Sequence, residues 1–206
     1  MNTRLGSFPY EARFLYLDNL FDRIEWQGLF QNEQPVHIDL GAGDGGYTAA
    51  MAQKHPGINF LAVERLKGRA IKIAKKSVRF HCPNLRVIRL ESAYLIRWLI
   101  KPASIEAVHL LFPDPWPKRK QQKFRLLQPE FVVDLVKAIK PGGYFHFATD
   151  HEEYFEIGTL AVDQNPNFER VESSPWGELP QTDFEKQWVS QGKKIGRAFW
   201  RRRDKE

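Results

Sequence analysis

Apolar residues follow two alternating patterns through the middle of the chain. Short apolar runs, typical of buried strands, occur at 36–40, 59–63, 85–90, 107–112 and 144–148. Between them, apolar residues recur every three or four positions, as in helices with one buried face, at 47–54, 66–78, 92–99, 129–139 and 154–162. Strands that alternate with helices predict a mostly parallel sheet covered by helices on both faces. We expect Pro141-Gly142-Gly143 to end the helix that precedes the fifth strand.

The two ends of the chain have different patterns. Near the amino end, apolar residues at helical spacing predict one amphipathic helix from Glu11 to Trp26. Near the other end, runs at 168–172 and 194–203 predict two strands that close the sheet as an antiparallel edge pair. A short helix between them opens at Thr182 and stops at Gly192. The sequence therefore predicts one α/β domain with a seven-stranded sheet.

The distribution of charge along the chain indicates what kind of partner the protein binds. The 206 residues carry a formal net charge of +6, the pI is about 9.4, and the basic excess is concentrated at 118–125 and 193–203. A clustered excess favours a phosphate-rich partner. Hydrophobic residues make up 42% of the chain and aromatic residues 13%, which is enough for one sizeable core.

Three absences narrow the class of protein. The only cysteine, Cys82, excludes an internal disulfide and is compatible with a reducing cytoplasm, where a structural thiol is its expected role. No apolar run approaches the ~18 residues of a membrane span. No cluster of cysteines and histidines has the spacing of metal ligands. We therefore expect a cytoplasmic protein with no membrane segment and no metal.

Prolines at every second position follow the fourth predicted strand, at 113, 115 and 117. Because proline restricts the residue before it, we expect Phe112, Asp114 and Trp116 to be extended. The Asp114 carboxylate would then lie on a stiff loop beside an indole, and Lys118 opens a basic tail that reaches Arg125. This order of acid, aromatic ring and cations indicates a site for a heterocycle attached to a polyanion.

A glycine-rich loop, Gly41–Gly46, follows the first strand and satisfies G-x-G-x-x-G. The motif alone is weak evidence, since dinucleotide enzymes share it. Gly41 and Gly43 let the backbone approach a ligand at the switch point between the first and fourth strands. Asp39 is more discriminating, because a carboxylate repels a pyrophosphate but attracts the ammonium and sulfonium groups of S-adenosylmethionine. We therefore favour S-adenosylmethionine.

Two further strand ends carry candidate cofactor contacts. Glu64, at the end of the second strand, is placed to accept hydrogen bonds from ribose hydroxyls. A purely structural role, as an acid favoured by the following helix dipole, is the alternative. After the third strand, either Glu91 or Ser92 would meet the adenine edge.

These residues belong to a set of motifs that resembles the tRNA guanine-N7 methyltransferases, over roughly residues 30 to 200. In chain order the motifs are Asp39-x-Gly-x-Gly, Glu64, Phe112-Pro-Asp-Pro-Trp-Pro-Lys118, Gly142-Gly-x-x-x-x-x-Thr-Asp150 and Thr182-x-Phe-Glu185. The proline-rich motif is the most specific. Two positions depart from the family pattern: Asp39 replaces a commoner glutamate, and Gln121 to Arg125 lacks the usual histidine and paired arginines.

The resemblance implies a Rossmann-like class I S-adenosylmethionine-dependent methyltransferase that forms N7-methylguanine in the tRNA variable loop. It makes Asp114 central to catalysis and also a cofactor contact. It assigns substrate contacts to Lys118, Asp150, Thr182 and Glu185. The domain would divide into an N-terminal extension and helix at 1–34, a cofactor-binding core at 35–165 and a substrate-binding part at 166–206. Monomer and homodimer both stay open.

Several of these residues have structural explanations as well. Asp150 lies between a strand and a helix, where an N-cap is equally expected. Thr182-x-x-Glu185 matches a capping box. Trp116 would stack on the guanine or pack against its own loop.

Three other functions are also compatible with parts of this sequence. A methyltransferase acting on an exocyclic amine of a nucleic-acid base would place a similar acid and proline after the fourth strand. A nicotinamide-dependent reductase would use the glycine loop but needs neither Asp39 nor the basic tail. An RNA-binding protein with a vestigial cofactor pocket would not bind S-adenosylmethionine.

Overall fold

The computed structural model describes residues 10–204. Seven strands lie in this range: β1 Val36–Leu40, β2 Asn59–Val63, β3 Leu85–Ile88, β4 Ile105–Leu111, β5 Ile139–Thr149, β6 Phe168–Val171 and β7 Gly196–Arg202. They form one sheet in the order β3-β2-β1-β4-β5-β7-β6. The first five strands are parallel, and β7 pairs antiparallel with both β5 and β6. The predicted parallel sheet with an antiparallel edge pair is confirmed.

The helices cover both faces of this sheet. They are α1 Trp26–Phe30, α2 Gly46–Lys54, α3 Lys67–Arg79, α4 Ser92–Tyr94, α5 Pro129–Ala138, α6 Glu152–Asp163 and α7 Asp183–Ser190, and a π-helical turn, Leu95–Leu99, continues α4. Buried apolar residues of α5, α6 and the π turn form one half of the core, and those of α2 and α3 form the other. Cys82 is buried beside α2 and α3, as a structural thiol would be.

The predicted helix from Glu11 to Trp26 is wrong. Only Glu11–Arg13 forms a short 3₁₀ turn. Phe14 then makes an isolated parallel bridge with Val87 at the edge strand β3, and the Leu15 N–H donates to the Val87 carbonyl at 2.7 Å. The chain wraps the sheet edge here, because pairing with β3 satisfies backbone groups that a helix would have satisfied internally.

Pro141-Gly142-Gly143 was expected to end a helix, but it lies inside β5. The helix ends at Ala138, and β5 begins at Ile139 with a bulge opposite β4, where the register jumps from Ile105 to Ala107. A Cβ at Gly143 would lie 2.5 Å from the Glu106 carbonyl oxygen. Glycine therefore permits close approach of two strands at this position.

Within the described residues, no helix is long and apolar enough to cross a membrane. Residues 1–9 of the predicted N-terminal extension lie outside the described residues.

Candidate active site

Two adjoining cavities open at the carboxyl edge of the sheet, where the neighbouring strands β1 and β4 end. Their volumes are about 230 and 300 Å³. They share five lining residues: Gly41, Arg69, Leu111, Phe112 and Phe184. The glycine-loop cavity, which is the smaller, is lined by Asp39, Gly43 and Thr182. The acid-loop cavity is lined by Glu64, Glu91, Ser92 and Asp114. The structure thus brings every predicted cofactor contact to one cleft.

Lys118, Asp150 and Glu185 line neither cavity. They lie at other positions around the cleft, described below. Of the four predicted substrate contacts, only Thr182 reaches a cavity wall, from the start of α7.

Glu64 holds the glycine loop in place. Its Oε2 accepts a hydrogen bond from the Gly43 N–H at 3.1 Å, and its Oε1 accepts one from the Leu66 N–H at 2.7 Å, at the start of α3. Each carboxylate oxygen has a second lone pair. Glu64 therefore has a structural role, and its two oxygens can still accept further hydrogen bonds from a ligand in the cavity.

Gly41 and Gly43 adopt positive φ angles of 74° and 58°. A Cβ at Gly41 would meet no atom within 4 Å, so the space beside it is open to a ligand. These conformations are strained for other residues but accessible to glycine. Both glycines therefore bring bare backbone to the cavity wall.

Asp39 lies at the floor of the glycine-loop cavity and is almost fully buried. Its Oδ2 accepts a short hydrogen bond from the Thr48 hydroxyl. Burial raises the pKa of Asp39 to about 7, while the Thr48 bond lowers it and the nearby Glu64 raises it further. A cationic ligand would favour the charged form of this carboxylate and offset its desolvation.

Glu91 is the N-cap of α4. Its two carboxylate oxygens accept from the backbone N–H groups of Ala93 and Tyr94, at 2.9 and 2.7 Å. Ser92 also lines the acid-loop cavity. Because Glu91 is engaged by its own helix, the hydroxyl of Ser92 is the freer of the two groups.

The proline loop is not extended throughout. Phe112 and Trp116 have φ angles of +50° and +44°, so the prediction for these two residues is wrong. Proline excludes the right-handed helical region for the preceding residue, yet the left-handed region is occupied at both positions. The Phe112 N–H donates to the Ala148 carbonyl at 2.7 Å, and this bond fixes the point at which the chain leaves the sheet.

Asp114 is exposed at the wall of the acid-loop cavity. Trp116 packs against Phe124, with ring centroids 5.4 Å apart, and both rings line the same cavity. The indole therefore packs against its own loop in this structure and also faces the space that a base would enter.

Arg125 holds the proline loop in place through a hydrogen bond to its backbone. It is buried, its Nε donates to the Pro115 carbonyl at 2.7 Å, and its Nη2 lies 3.3 Å from Glu153 Oε2. Arg125 belongs to the basic tail that was expected to favour a phosphate-rich partner, but its guanidinium is engaged by the protein itself. Lys118 is exposed directly before the 3₁₀ turn Arg119–Phe124.

Asp150 is not a helix cap. His151 caps α6 by accepting from the Tyr154 N–H through Nδ1, and Asp150 pairs instead with Lys193 at 2.9 Å. The alternative of an N-cap at Asp150 is therefore wrong. Its carboxylate ties the end of β5 to the segment after α7.

Thr182-x-x-Glu185 forms half of a capping box. Thr182 Oγ1 accepts from the Glu185 N–H at 2.9 Å, as predicted. The Glu185 carboxylate does not return to the cap. Its Oε1 accepts from Arg197 Nη2 at 2.6 Å, and its buried Oε2 has no hydrogen-bond partner among the described residues. The charged guanidinium of Arg197 on β7 donates to Glu185 in place of the Thr182 backbone N–H that a full capping box would use.

A buried polar network, which the sequence analysis missed, extends from Glu185 across the sheet. The second nitrogen of Arg197 contacts His146 Nε2 at 2.8 Å, His146 Nδ1 lies 3.2 Å from His109 Nδ1, and His109 Nε2 lies 3.1 Å from His37 Nδ1. Tyr47, just after the glycine loop, places its hydroxyl 3.1 Å from His109 Nδ1. The signal was available, since one histidine interrupts each of three apolar strands that the predicted topology makes neighbours.

The guanidinium of Arg197 fixes the proton positions along this network. Arginine only donates, so His146 Nε2 is an acceptor and its proton is on Nδ1. His109 then accepts at Nδ1 and donates from Nε2 to His37 Nδ1. Burial is the main cause that lowers the pKa of all three histidines, that of His37 to about 3. All three rings are therefore neutral at pH 7.

Trp176 covers the network on its open side. Its ring centroid lies 4.8 Å from that of His109 and 5.1 Å from that of His37. The loop that carries it, between β6 and α7, leads directly to Thr182. Packing of this loop and the buried network together hold α7 against the glycine loop, where a Cβ at Gly46 would lie 3.0 Å from Asp183 Oδ2.

No group of three or more histidine, cysteine or acidic side chains that could hold a metal ion occurs in residues 10–204.

Comparison with known proteins first defines the class. A family model described as "Putative methyltransferase" matches residues 33–198. The antibiotic-resistance methyltransferase Kmr is similar in structure, with a TM-score of 0.59 and 15% identity over 86% of this chain and 91% of that one. NSun6 from Pyrococcus horikoshii has a TM-score of 0.61 and 18% identity over 85% of this chain and 50% of its own. The fold is that of the class I S-adenosylmethionine-dependent methyltransferases.

Sequence relatives then define the family. A tRNA (guanine-N(7)-)-methyltransferase from Mycobacterium ulcerans is 36% identical over 188 residues, which cover 88% of this chain and 68% of the relative. Another from Bordetella pertussis is 33% identical over 196 residues, 94% of this chain and 72% of the relative. The chain belongs to the tRNA (guanine-N7)-methyltransferase family.

Proposed function

We propose that this protein transfers a methyl group from S-adenosylmethionine to N7 of a guanosine in tRNA, within the variable loop. One observation carries the proposal: Asp114, the acid of the proline loop, lines the same cavity as Glu64. The cofactor and the target base would therefore meet at the carboxyl edge of the sheet, above β1 and β4. Action on tRNA makes the cytoplasm the expected compartment.

The lining residues fit S-adenosylmethionine. Asp39 is a buried carboxylate whose desolvation a cation would offset, and Gly41 leaves open space beside bare backbone. In our proposal Asp39 attracts the ammonium and sulfonium end, Glu64 accepts from the ribose hydroxyls, and Ser92 or Glu91 meets the adenine. When bound, this cofactor supplies a methyl group activated by attachment to a positive sulfur.

The reaction needs no general base. Guanine N7 has a free lone pair and no proton, so a new N–C bond forms as the C–S bond breaks, and the positive charge moves onto the purine. Most of the rate then comes from positioning. Asp114, beside the base, would accept from its N1–H and amino group or face its imidazole ring, and either contact stabilises the developing charge.

The remaining predicted residues would hold the tRNA. Lys118 is exposed four residues after Asp114 and suits a phosphate. Asp150, Thr182 and Glu185 occupy the ends of β5 and α7, which flank the cleft. We propose that these three contact the guanosine or its neighbours, with Asp150 supporting Asp114.

Product identification tests this function. The native protein is incubated with unmodified tRNA and S-adenosylmethionine labelled in the methyl group, and the nucleosides are then separated. We expect label in N7-methylguanosine at a variable-loop position. Label in an exocyclic amine would assign the chemistry to the rival methyltransferase class. Binding of tRNA with neither S-adenosylmethionine binding nor methyl transfer would leave RNA binding as the function.

A further inference from the structure

One strongly basic surface has no role in the function proposed above. Helix α3 carries six cations, and the segment from residue 65 to residue 79 contains no acidic residue. It is separate from the two basic clusters at 118–125 and 193–203. Five of the six helix cations define what we name the α3 basic face: Arg69, Lys72, Lys75, Lys76 and Arg79.

Helix geometry gathers these five side chains. At about 100° per residue, they fall within an arc of roughly 120° around the helix axis. The buried positions, Ala70, Ile73, Ala74 and Ser77, occupy the opposite arc and pack against the sheet. From Arg69 to Arg79 the face extends about 15 Å, which matches roughly four successive phosphates along one strand of a duplex.

Few carboxylates neutralise this face. Asp44 lies 3.1 Å from Lys72 and 3.9 Å from Arg69. Within residues 10–204, no carboxylate oxygen lies within 4 Å of the charged atoms of the other three cations. Lys75 and Arg79 instead lie over the aromatic rings of Tyr10 and Phe80, at 5.5 Å each. Three neighbouring cations without a carboxylate partner in that range suit a polyanionic partner.

The face begins at the cleft. Arg69 lines both cavities, and its guanidinium lies 6.0 Å from the ring centroid of Phe184 on α7. The proline loop lines the acid-loop cavity through Asp114 and leads on to Lys118. It follows β4, whereas α3 follows β2, and these two strands lie on either side of β1. A polyanion that reaches Asp114 therefore has basic surfaces on both sides of its entry point.

A membrane is a poor match for this face. Amphipathic helices that bind lipid insert an apolar side among the acyl chains, but the apolar side of α3 is buried against the sheet. Helical RNA needs only charge at the spacing of its phosphates.

We propose that the α3 basic face binds the phosphate backbone of a helical arm of the tRNA while the guanosine occupies the cleft. This inference rests on the proposed function, since it needs tRNA as the substrate. It adds a second docking surface, on the opposite side of the cleft from the proline loop.

The test variant is Lys75→Gln/Lys76→Gln/Arg79→Gln, which leaves Arg69, at the cavities, and Lys72, which pairs with Asp44, unchanged. The control is Lys101→Gln/Lys137→Gln/Lys140→Gln. It removes the same charge at the amino ends of β4 and β5, away from the cleft. Binding of unmodified tRNA is measured against salt concentration, and methyl transfer is measured at saturating tRNA. Cofactor affinity and thermal unfolding show whether each variant is folded.

We expect the test variant to bind tRNA about tenfold more weakly, and the slope of log K against log salt to become shallower by about 2. Its rate at saturating tRNA and its cofactor affinity should match the native protein, and the control should keep the native slope. Unchanged affinity and slope in the test variant overturn the proposal, as does an equal loss in both variants. Loss of binding to phosphatidylserine vesicles, with tRNA binding intact, also overturns it.

The two proposals fail separately. If the native protein methylates tRNA at guanine N7 and the test variant binds tRNA normally, only the α3 proposal is wrong. If the native protein binds tRNA through α3 but transfers no methyl group, only the proposed activity is wrong.

Discussion

Arg197 Nη2 donates to Glu185 Oε1 at 2.6 Å, while Nη1 of the same guanidinium contacts His146. Arg197 therefore joins Glu185, a predicted substrate contact on α7, to the buried histidines of the sheet. Because Glu185 is buried and its second oxygen has no partner in residues 10–204, its charge depends on Arg197.

Removal of this cation should destabilise the protein. We expect Arg197→Gln to lower the free energy of unfolding by about 2–3 kcal/mol, because it leaves a buried carboxylate unpaired. The double variant with Glu185→Gln should lose at least about 1 kcal/mol less than the sum of the single losses. Urea unfolding of the four proteins measures this coupling. Arg201→Gln, on the same strand, is the control and should change stability little, because its ion pairs with Glu169 and Asp204 are partly exposed to solvent. Strict additivity would show that Glu185 and Arg197 are independent.

The buried histidines should make the protein sensitive to acid. Burial lowers their pKa in the folded state, so protons bind the unfolded chain preferentially below its ordinary histidine pKa of 6.5. Stability is complete above that value and is lost as the pH falls below it.

His109→Gln removes one of these groups and keeps a donor and an acceptor at the position. We expect the loss of stability between about pH 6 and pH 5 to shrink by about 1.4 kcal/mol per pH unit. Urea unfolding at several pH values measures it. His81→Asn, on an exposed turn, should leave the slope as in the native protein. A native slope in His109→Gln as well would mean that this histidine is charged when folded.

Asp39 should have the opposite pH dependence. Its pKa, raised by burial to about 7, makes the folded state bind a proton more tightly than the unfolded chain. Its contribution to stability is complete below the ordinary value near 3.8 and is lost as the pH rises toward 7.

Asp39→Asn should therefore stabilise the cofactor-free protein at pH 8, by up to about 4 kcal/mol, and weaken S-adenosylmethionine binding. The gain should fade as the pH is lowered toward 4. Thermal unfolding and calorimetric titration measure the two effects, with Asp18→Asn, an exposed acid that lines neither cavity, as the control. Unchanged cofactor affinity in Asp39→Asn would remove this residue from the cofactor site.

Substitutions at Glu91 and Ser92 can show which of the two residues contacts the adenine, because only Glu91 caps a helix. Glu91→Ala removes an N-cap and should cost about 1 kcal/mol of stability, with little change in cofactor affinity. Ser92→Ala should weaken cofactor binding and leave stability close to native. Calorimetric titration of S-adenosylmethionine compares them. The reverse result would assign the adenine contact to Glu91.

Local patterns were sufficient to predict most of the fold. The apolar runs located all seven strands, because a buried strand leaves a recognisable period and the glycine and proline punctuation between elements is local. The helix predicted at the amino end was wrong for a nonlocal reason. Phe14 and its neighbours bond to β3, more than seventy residues away, and periodicity alone contains no information about that edge.

The site was predictable where residues follow strand ends. Asp39, Glu64, Ser92 and Asp114 each lie at or just after the end of one strand, and parallel strands bring those ends together. Contacts made by long side chains across the sheet were not predictable in this way. Arg197 lies in the basic cluster at 193–203 that was expected to favour a phosphate-rich partner, yet its partners are a buried acid and a buried histidine on other elements.

The most direct test of the account is methyl transfer to unmodified tRNA by Asp114→Asn, with Asp22→Asn, an exposed acid away from the cleft, as the control. Because Asp114 is proposed to stabilise charge that develops only during transfer, kcat should fall by about 100-fold or more, while S-adenosylmethionine affinity stays near native. A variant that forms N7-methylguanosine at the native rate would contradict the central role of this carboxylate.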